Sequence, residues 1–284
     1  MQALVASCAV LGVAAGAVLD PLGQQLADRS RAAEARRQLE RNERRAAEAA
    51  AAASSETASA SDEDADLTGD AQAEVSDLVD EVAATEPVRH LLPEGRSIPR
   101  TVGAAIVTGV LFAAVAGHVG AHLVLVSLLV FVAMAVAVSV TDLTHRLVPR
   151  QLIYGALALI VPLLVVVSAQ AHHWRPLADA AIAGAGAFGV FFLIWFFVPR
   201  GMGFGDVRLA GVIGVTVGYL GLLHAYLAFL VGFVFGLVFG LMLMVGSSSG
   251  RRTRIPFAPS LCIGAVVAIL WGDPIVHHFF GASA

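Results

Sequence analysis

The sequence predicts an all-α integral membrane protein with about eight transmembrane helices. The first reason is composition: of 284 residues, 57% are hydrophobic and 14% charged, against roughly 25% charged in a soluble domain. A second is that apolar runs of the length needed to cross about 30 Å of hydrocarbon, roughly 20 residues of helix, recur at about 2–19, 101–119, 121–141, 151–169, 178–198, 206–221, 222–246 and 257–276. A third is that arginine falls almost entirely into every second interval between these runs. A single soluble globule is excluded.

The first run is expected to stay uncleaved. Val5-Ala6-Ser7-Cys8 is like a lipoprotein cleavage box, but no basic residue precedes the run, and Arg29, Arg31, Arg36 and Arg37 follow it. The sixth run is short and rich in glycine, which leaves its ends loosely defined. Segments 20–100, 142–150, 199–206 and 247–256 carry the arginines, whereas the alternate loops hold only Arg175. Basic residues accumulate on the cytoplasmic side, so these segments are expected to face the cytoplasm of a bacterial plasma membrane, with both chain ends outside. All 18 basic residues are arginine, read as codon bias toward GC-rich DNA rather than as a nucleic-acid site. Nucleic acid is not an expected partner; the lipid bilayer is.

Three domains follow: residues 1–19 as an N-terminal transmembrane helix, 20–100 as a cytoplasmic insert, and 101–284 as the membrane-embedded part. The insert carries 10 Arg and 18 acidic residues, net −8. Residues 28–53 are mostly Ala, Glu and Arg with i,i+4 pairs such as Glu40 to Arg44, which favours helix. From Ser54 to Glu86 the composition becomes small and acidic without an aromatic residue, as in a disordered linker.

Beyond Arg100 there is no glutamate and there are four aspartates. Asp179 and Asp273 fall at the outer surface, the ordinary place for an exposed helix-end carboxylate. Asp142 ends the third run and Asp206 begins the sixth, at the same cytoplasmic boundary. Two neighbouring carboxylates cannot both ionise cheaply, so one keeps a proton while the other acts as base toward a shared water. That pair would hydrolyse an amide with no metal or cofactor. The alternative is that each merely caps a helix or attracts a loop arginine.

The flanking residues add to this. Asp206 follows Gly201, Gly203 and Gly205 within Arg200-Gly201-Met202-Gly203-Phe204-Gly205-Asp206. Such a run frees the backbone for positive φ and for close approach of a substrate chain. Asp142 is followed seven residues later by Pro149, a helix-starting proline, and Ile255-Pro256-Phe257-Ala258-Pro259-Ser260 opens the last run on the same face.

This ordered set, Asp-x6-Pro, then Gly-x-Gly-Asp with a basic residue two positions on, then Ile-Pro-Phe-x-Pro, resembles the type IV prepilin peptidases, a family of polytopic aspartic proteases. The resemblance covers residues 101–276; the segment around Asp20-Pro21-Leu22 matches the family's first helix weakly. It implies Asp142 and Asp206 as catalytic aspartates, Gly203 and Gly205 as residues shaping the turn that presents Asp206, and Pro149 and Pro256 as further motif positions. It also implies cleavage of a basic leader from prepilin-like proteins, with Gly before the cut and an apolar helix after it. Larger members carry two Cys-x-x-Cys pairs after the first span and N-methylate the new terminus. Here Cys8 and Cys262 are the only cysteines, so a built-in zinc site is not expected and methylation does not carry over. Arg208 stands where a lysine is usual.

Two other classes fit the composition. A transporter or channel would use Asp142 and Asp206 to bind cations or relay protons, but would want acids near mid-span. An inactive scaffold of a pilus or secretion system would keep the fold alone. The presenilin-type proteases also use Gly-x-Gly-Asp, but with a Tyr-Asp pair that Thr141-Asp142 does not match. His118, His122, His172, His173, His224, His277 and His278 lie near the outer face and are read as incidental. Phe188, Phe191, Phe192, Phe196 and Phe197 are read as lipid-facing or packing surface, and Trp174, Trp195 and Trp271 as interfacial anchors. Gly232, Gly236 and Gly240 share one helix face, where a neighbouring helix can approach closely; Gly184, Gly186 and Gly189 lack that spacing. The sequence leaves any homo-oligomer open.

Overall fold

A computed structural model describes residues 1–59, 98–145, 147–198, 202–246 and 257–281. Among these residues the chain is all α, with eight helices and no strand: α1 (Gln2–Ser59), α2 (Ile98–Val119), α3 (Val124–His145), α4 (Arg150–Ala171), α5 (Arg175–Phe197), α6 (Phe204–Gly218), α7 (Leu222–Gly246) and α8 (Ala258–Phe280). It divides into two compact units, Met1–Ala27 with Arg96–Ala284, and Asp28–Gly95.

The expected helix over 28–53 is present in the second unit, where it runs on to Ser59 as part of α1. α1 runs from the first apolar run through Asp20 and Pro21 without interruption. Asp20 is buried, its carboxylate accepting hydrogen bonds from Gln24 Nε2 at 2.8 Å and from Thr101 Oγ1 on α2 at 2.7 Å. With each carboxyl oxygen accepting one hydrogen bond, the residue joins α1 to α2. The acidic stretch after residue 59, and Pro256, lie outside the described residues.

Seven of the helices are long and apolar enough to cross a membrane. The sixth run forms a helix as expected, but α6 has only 15 residues, about 22 Å at 1.5 Å per residue. Ten of them are buried, so α6 is a short inner helix wrapped by longer neighbours. α3 is the other central element: Leu128, Phe131, Val132 and Val138 are buried on it, against Ile153 and Ile160 of α4, Leu209 and Ile213 of α6, and Leu261 of α8. Hydroxyls within the bundle turn back onto their own helix, Thr108 onto the Ala104 carbonyl and Thr216 onto that of Val212, as a medium without water demands.

Small residues bring the helices together. A Cβ at Gly232 would stand 3.2 Å from Cα of Leu261, and one at Gly236 would stand 2.5 Å from the Phe257 ring, so this face of α7 lies against α8 as its spacing predicts. Gly264 on α8 completes the crossing, facing Gly232 and the Ala228 carbonyl. The contact of α5 with α6 was not among the expectations. Gly184 abuts the Gly211 carbonyl and Val215, while Gly214 and Gly218, one turn apart on α6, both abut Ala183; the close-packing stripe lies on α6, whereas the glycines of α5 lack the four-residue spacing. The aromatic run of α5 is divided: Phe191 is buried against Phe229 and Phe233, while Phe196 and Phe197 are exposed.

Candidate active site

The last turn of α3 and the first turns of α4, α6 and α8 gather at one end of the bundle, since successive helices alternate in direction. Asp142 sits in the last turn of α3, three residues short of its end. It is 6% exposed, and its Oδ2 accepts the main-chain N–H of Ala258, the first residue of α8, at 3.2 Å. The first N–H groups of a helix have no partner within it, and the helix dipole makes that end favourable for negative charge. One bond therefore ties the Asp142 motif to the Ile-Pro-Phe motif.

Asp206 occupies the third position of α6, after Gly203 at its N-cap. The two residues bond reciprocally: the Asp206 N–H donates to the Gly203 carbonyl at 3.1 Å, and the Gly203 N–H donates to the Asp206 carboxylate. The acid reaches back to the N-cap main chain, as in one half of a capping box; glycine has no side chain to supply the other half. Asp206 is 9% exposed and lies within electrostatic reach of Asp142. The two aspartates singled out from sequence are thus brought to one buried locus.

The glycines work differently from the expectation. Gly203 has φ −77° and ψ 143°, extended backbone that any residue adopts, and Gly205 lies inside the first turn of α6. Neither takes positive φ. What Gly205 supplies is proximity: a Cβ there would stand 2.8 Å from Cβ of Val148. Val148 belongs to the connection between α3 and α4, so its contact with Gly205 draws the Asp206 turn against the segment that follows Asp142. Pro149 is buried and is the N-cap of α4, with φ −64°, a value its ring imposes.

Cys262 and His145, which motif reading did not single out, also close the site. Cys262, one turn into α8, hydrogen-bonds Ser139 of α3 and is within electrostatic reach of both aspartates. His145 is buried three residues after Asp142. Arg208 stacks its guanidinium 4.4 Å from the Phe204 ring centroid and 5.7 Å from that of Tyr154, a cation–π arrangement. Helical periodicity from Asp142 would have pointed to His145, three residues on; nothing local to the aspartates could point to Cys262, which arrives from more than 50 residues away.

At the opposite end, His224 is buried with Nε2 3.0 Å from Oδ1 of the exposed Asp273. No group of three or more His, Cys, Asp or Glu suited to a metal ion occurs among the described residues. Cys8 and Cys262 are both free thiols.

A model described as the Type IV leader peptidase family matches residues 129–241, which include both aspartates. The chain is 31% identical over 180 residues to the prepilin leader peptidase/N-methyltransferase of Bacillus subtilis (strain 168), covering 62% of this chain and 68% of that protein. It is 26% identical over 172 residues to the protein of that name from Legionella pneumophila, covering 58% and 56%. It is 32% identical over 152 residues to that from Pseudomonas aeruginosa, covering 50% and 48%. The chain thus spans about half the length of these last two relatives. No solved structure matches it.

Proposed function

The chain belongs to the Type IV leader peptidase family, and from that premise we propose that it is an aspartic endopeptidase cutting the basic leader from a prepilin-like protein at the cytoplasmic face of a bacterial plasma membrane. The observation that carries this reading is the single buried locus shared by Asp142 and Asp206, with the Ala258 N–H on the first of them.

Asp142, resting on the N-terminus of α8, is the base. It takes a proton from a water whose oxygen attacks the scissile carbonyl carbon, while Asp206 donates its proton to the carbonyl oxygen. The tetrahedral diol then returns a hydroxyl proton to Asp206 as the carbon–nitrogen bond breaks, and the leaving nitrogen takes the proton held by Asp142. The chemistry closes with two carboxylates and one water. The net negative insert between residues 20 and 100 attracts the basic leader; deleting residues 46–86 and finding unchanged cleavage at low salt would remove that part of the reading.

The test is co-expression with a tagged prepilin from the same genome, comparing wild type with Asp142→Asn and Asp206→Asn by substrate mass. Loss of the leader with wild type, and its retention with each variant, is the expected result. Cleavage that survives either substitution overturns the mechanism. The product mass also reports any methyl group, an activity not assigned to this chain.

A further inference from the structure

A groove of about 600 Å³ runs from the carboxylate end into the bundle between α2, α3 and α8. Gly103 and Val107 line it from α2, Val136 and Ser139 from α3, and Ile263 and Val267 from α8. Its mouth adjoins the site just described: Leu143 follows Asp142 on α3, and Pro259 follows the Ala258 whose N–H that aspartate holds. A Cβ built at Gly103 meets nothing within 4 Å, and Val107 is half exposed. Both residues face open space.

Among the described residues of this wall the polar side chains are Ser139, already bonded to the Ala135 carbonyl, the Cys262 thiol, and Arg100 at the mouth. A chain lying there finds almost no partner for its main-chain groups. It must satisfy them internally, which at membrane depth leaves an apolar helix, and the small wall residues Gly103 and Ser139 let such a helix approach closely. Arg100 has a buried Nε that makes no hydrogen bond among the described residues. A donor at the mouth suits the free carbonyls of the extended stretch where that helix ends and the scissile bond begins.

We infer that this groove seats an apolar helix of the substrate directly beside the bond being cut, with Arg100 donating to a substrate carbonyl at the point where the helix gives way to extended chain. The inference rests on the peptidase reading above and adds the place of the substrate to it. A phospholipid acyl chain is the rival occupant. Continuity with Asp142 favours the substrate, because a groove serving lipid alone has no need to open at the carboxylates.

The experiment uses the full chain in phospholipid vesicles with a purified prepilin. A photoreactive phenylalanine analogue is placed at Val107, in the groove, or at Val102, which is 50% exposed on the far side of α2 from the groove. Crosslinking to the prepilin from position 107 well above that from 102 is expected. Gly103→Leu and Val107→Trp, which fill the groove, are expected to raise KM about tenfold with kcat within about twofold, while Val102→Trp changes neither. Equal crosslinking from both positions, crosslinks from 107 to phospholipid only, or an unchanged KM in both filled variants would overturn the groove assignment. If wild type cleaves and Asp142→Asn does not, that failure belongs to the groove alone; if wild type does not cleave, the underlying reading fails first.

Discussion

Ala258 opens α8 by giving its N–H to the carboxylate of Asp142, 116 residues earlier in the chain. The bond joins the end of one membrane helix to the start of another and holds the carboxylate at a helix N-terminus. With Asp206 in electrostatic reach, it leads to the first prediction. Asp142→Asn and Asp206→Asn should each lower leader cleavage by about 10²–10⁴-fold, the usual worth of one acid–base group, while the protein still elutes as folded material in detergent. Mass spectrometry of the prepilin reads the outcome, and a variant retaining a tenth of wild-type activity would contradict the assignment.

Gly205 faces Val148 with no room for a methyl group. Gly205→Ala should therefore push the first turn of α6 away from the α3–α4 connection, at a strain of about 1–3 kcal/mol, and impair cleavage more than expression. Removing the opposing bulk tests the cause. In Gly205→Ala/Val148→Gly, which removes the Cβ that the new methyl group meets, activity should recover in part; if the double variant is as impaired as the single one, the role of Gly205 lies elsewhere.

Gly184 and Gly186 lie two residues apart on α5, yet only Gly184 abuts a neighbour, Val215 and the Gly211 carbonyl of α6. Gly184→Ala should lower the unfolding temperature in detergent. Gly186→Ala, with nothing within 4 Å of the added carbon, should leave it unchanged or raise it, since alanine is favoured over glycine in a helix by about 0.5–1 kcal/mol. Equal effects at both positions would mean that α5 and α6 do not meet along this face.

Thr101 donates to the buried Asp20 at 2.7 Å. Thr101→Val keeps the shape and removes the donor, leaving a carboxylate oxygen short of a partner, for which about 1–3 kcal/mol of destabilisation is expected. Thermal unfolding in detergent measures it. Thr101→Ser, which retains the hydroxyl, should stay near wild type, and a Thr101→Val protein as stable as wild type would show that the bond contributes nothing net.

Much of this architecture was written along the chain itself. Apolar runs long enough to span hydrocarbon identify themselves one at a time, because each is selected against the bilayer and not against a partner. The same holds for the Gly232 and Gly236 face of α7, where the small residues lie on one helix. The two aspartates stood out because the rest of the membrane-embedded sequence is so poor in acids. Tertiary structure alone decided how these pieces meet. That α1 runs through Asp20 depends on Thr101, 81 residues away; that α6 is a short inner helix depends on the longer helices around it; that Gly205 serves close packing and not an unusual backbone depends on Val148. Local pattern reports what a segment requires of its solvent, whereas contacts between distant segments follow from which faces fit together. The meeting of Asp142 with the first N–H of α8 is of that second kind.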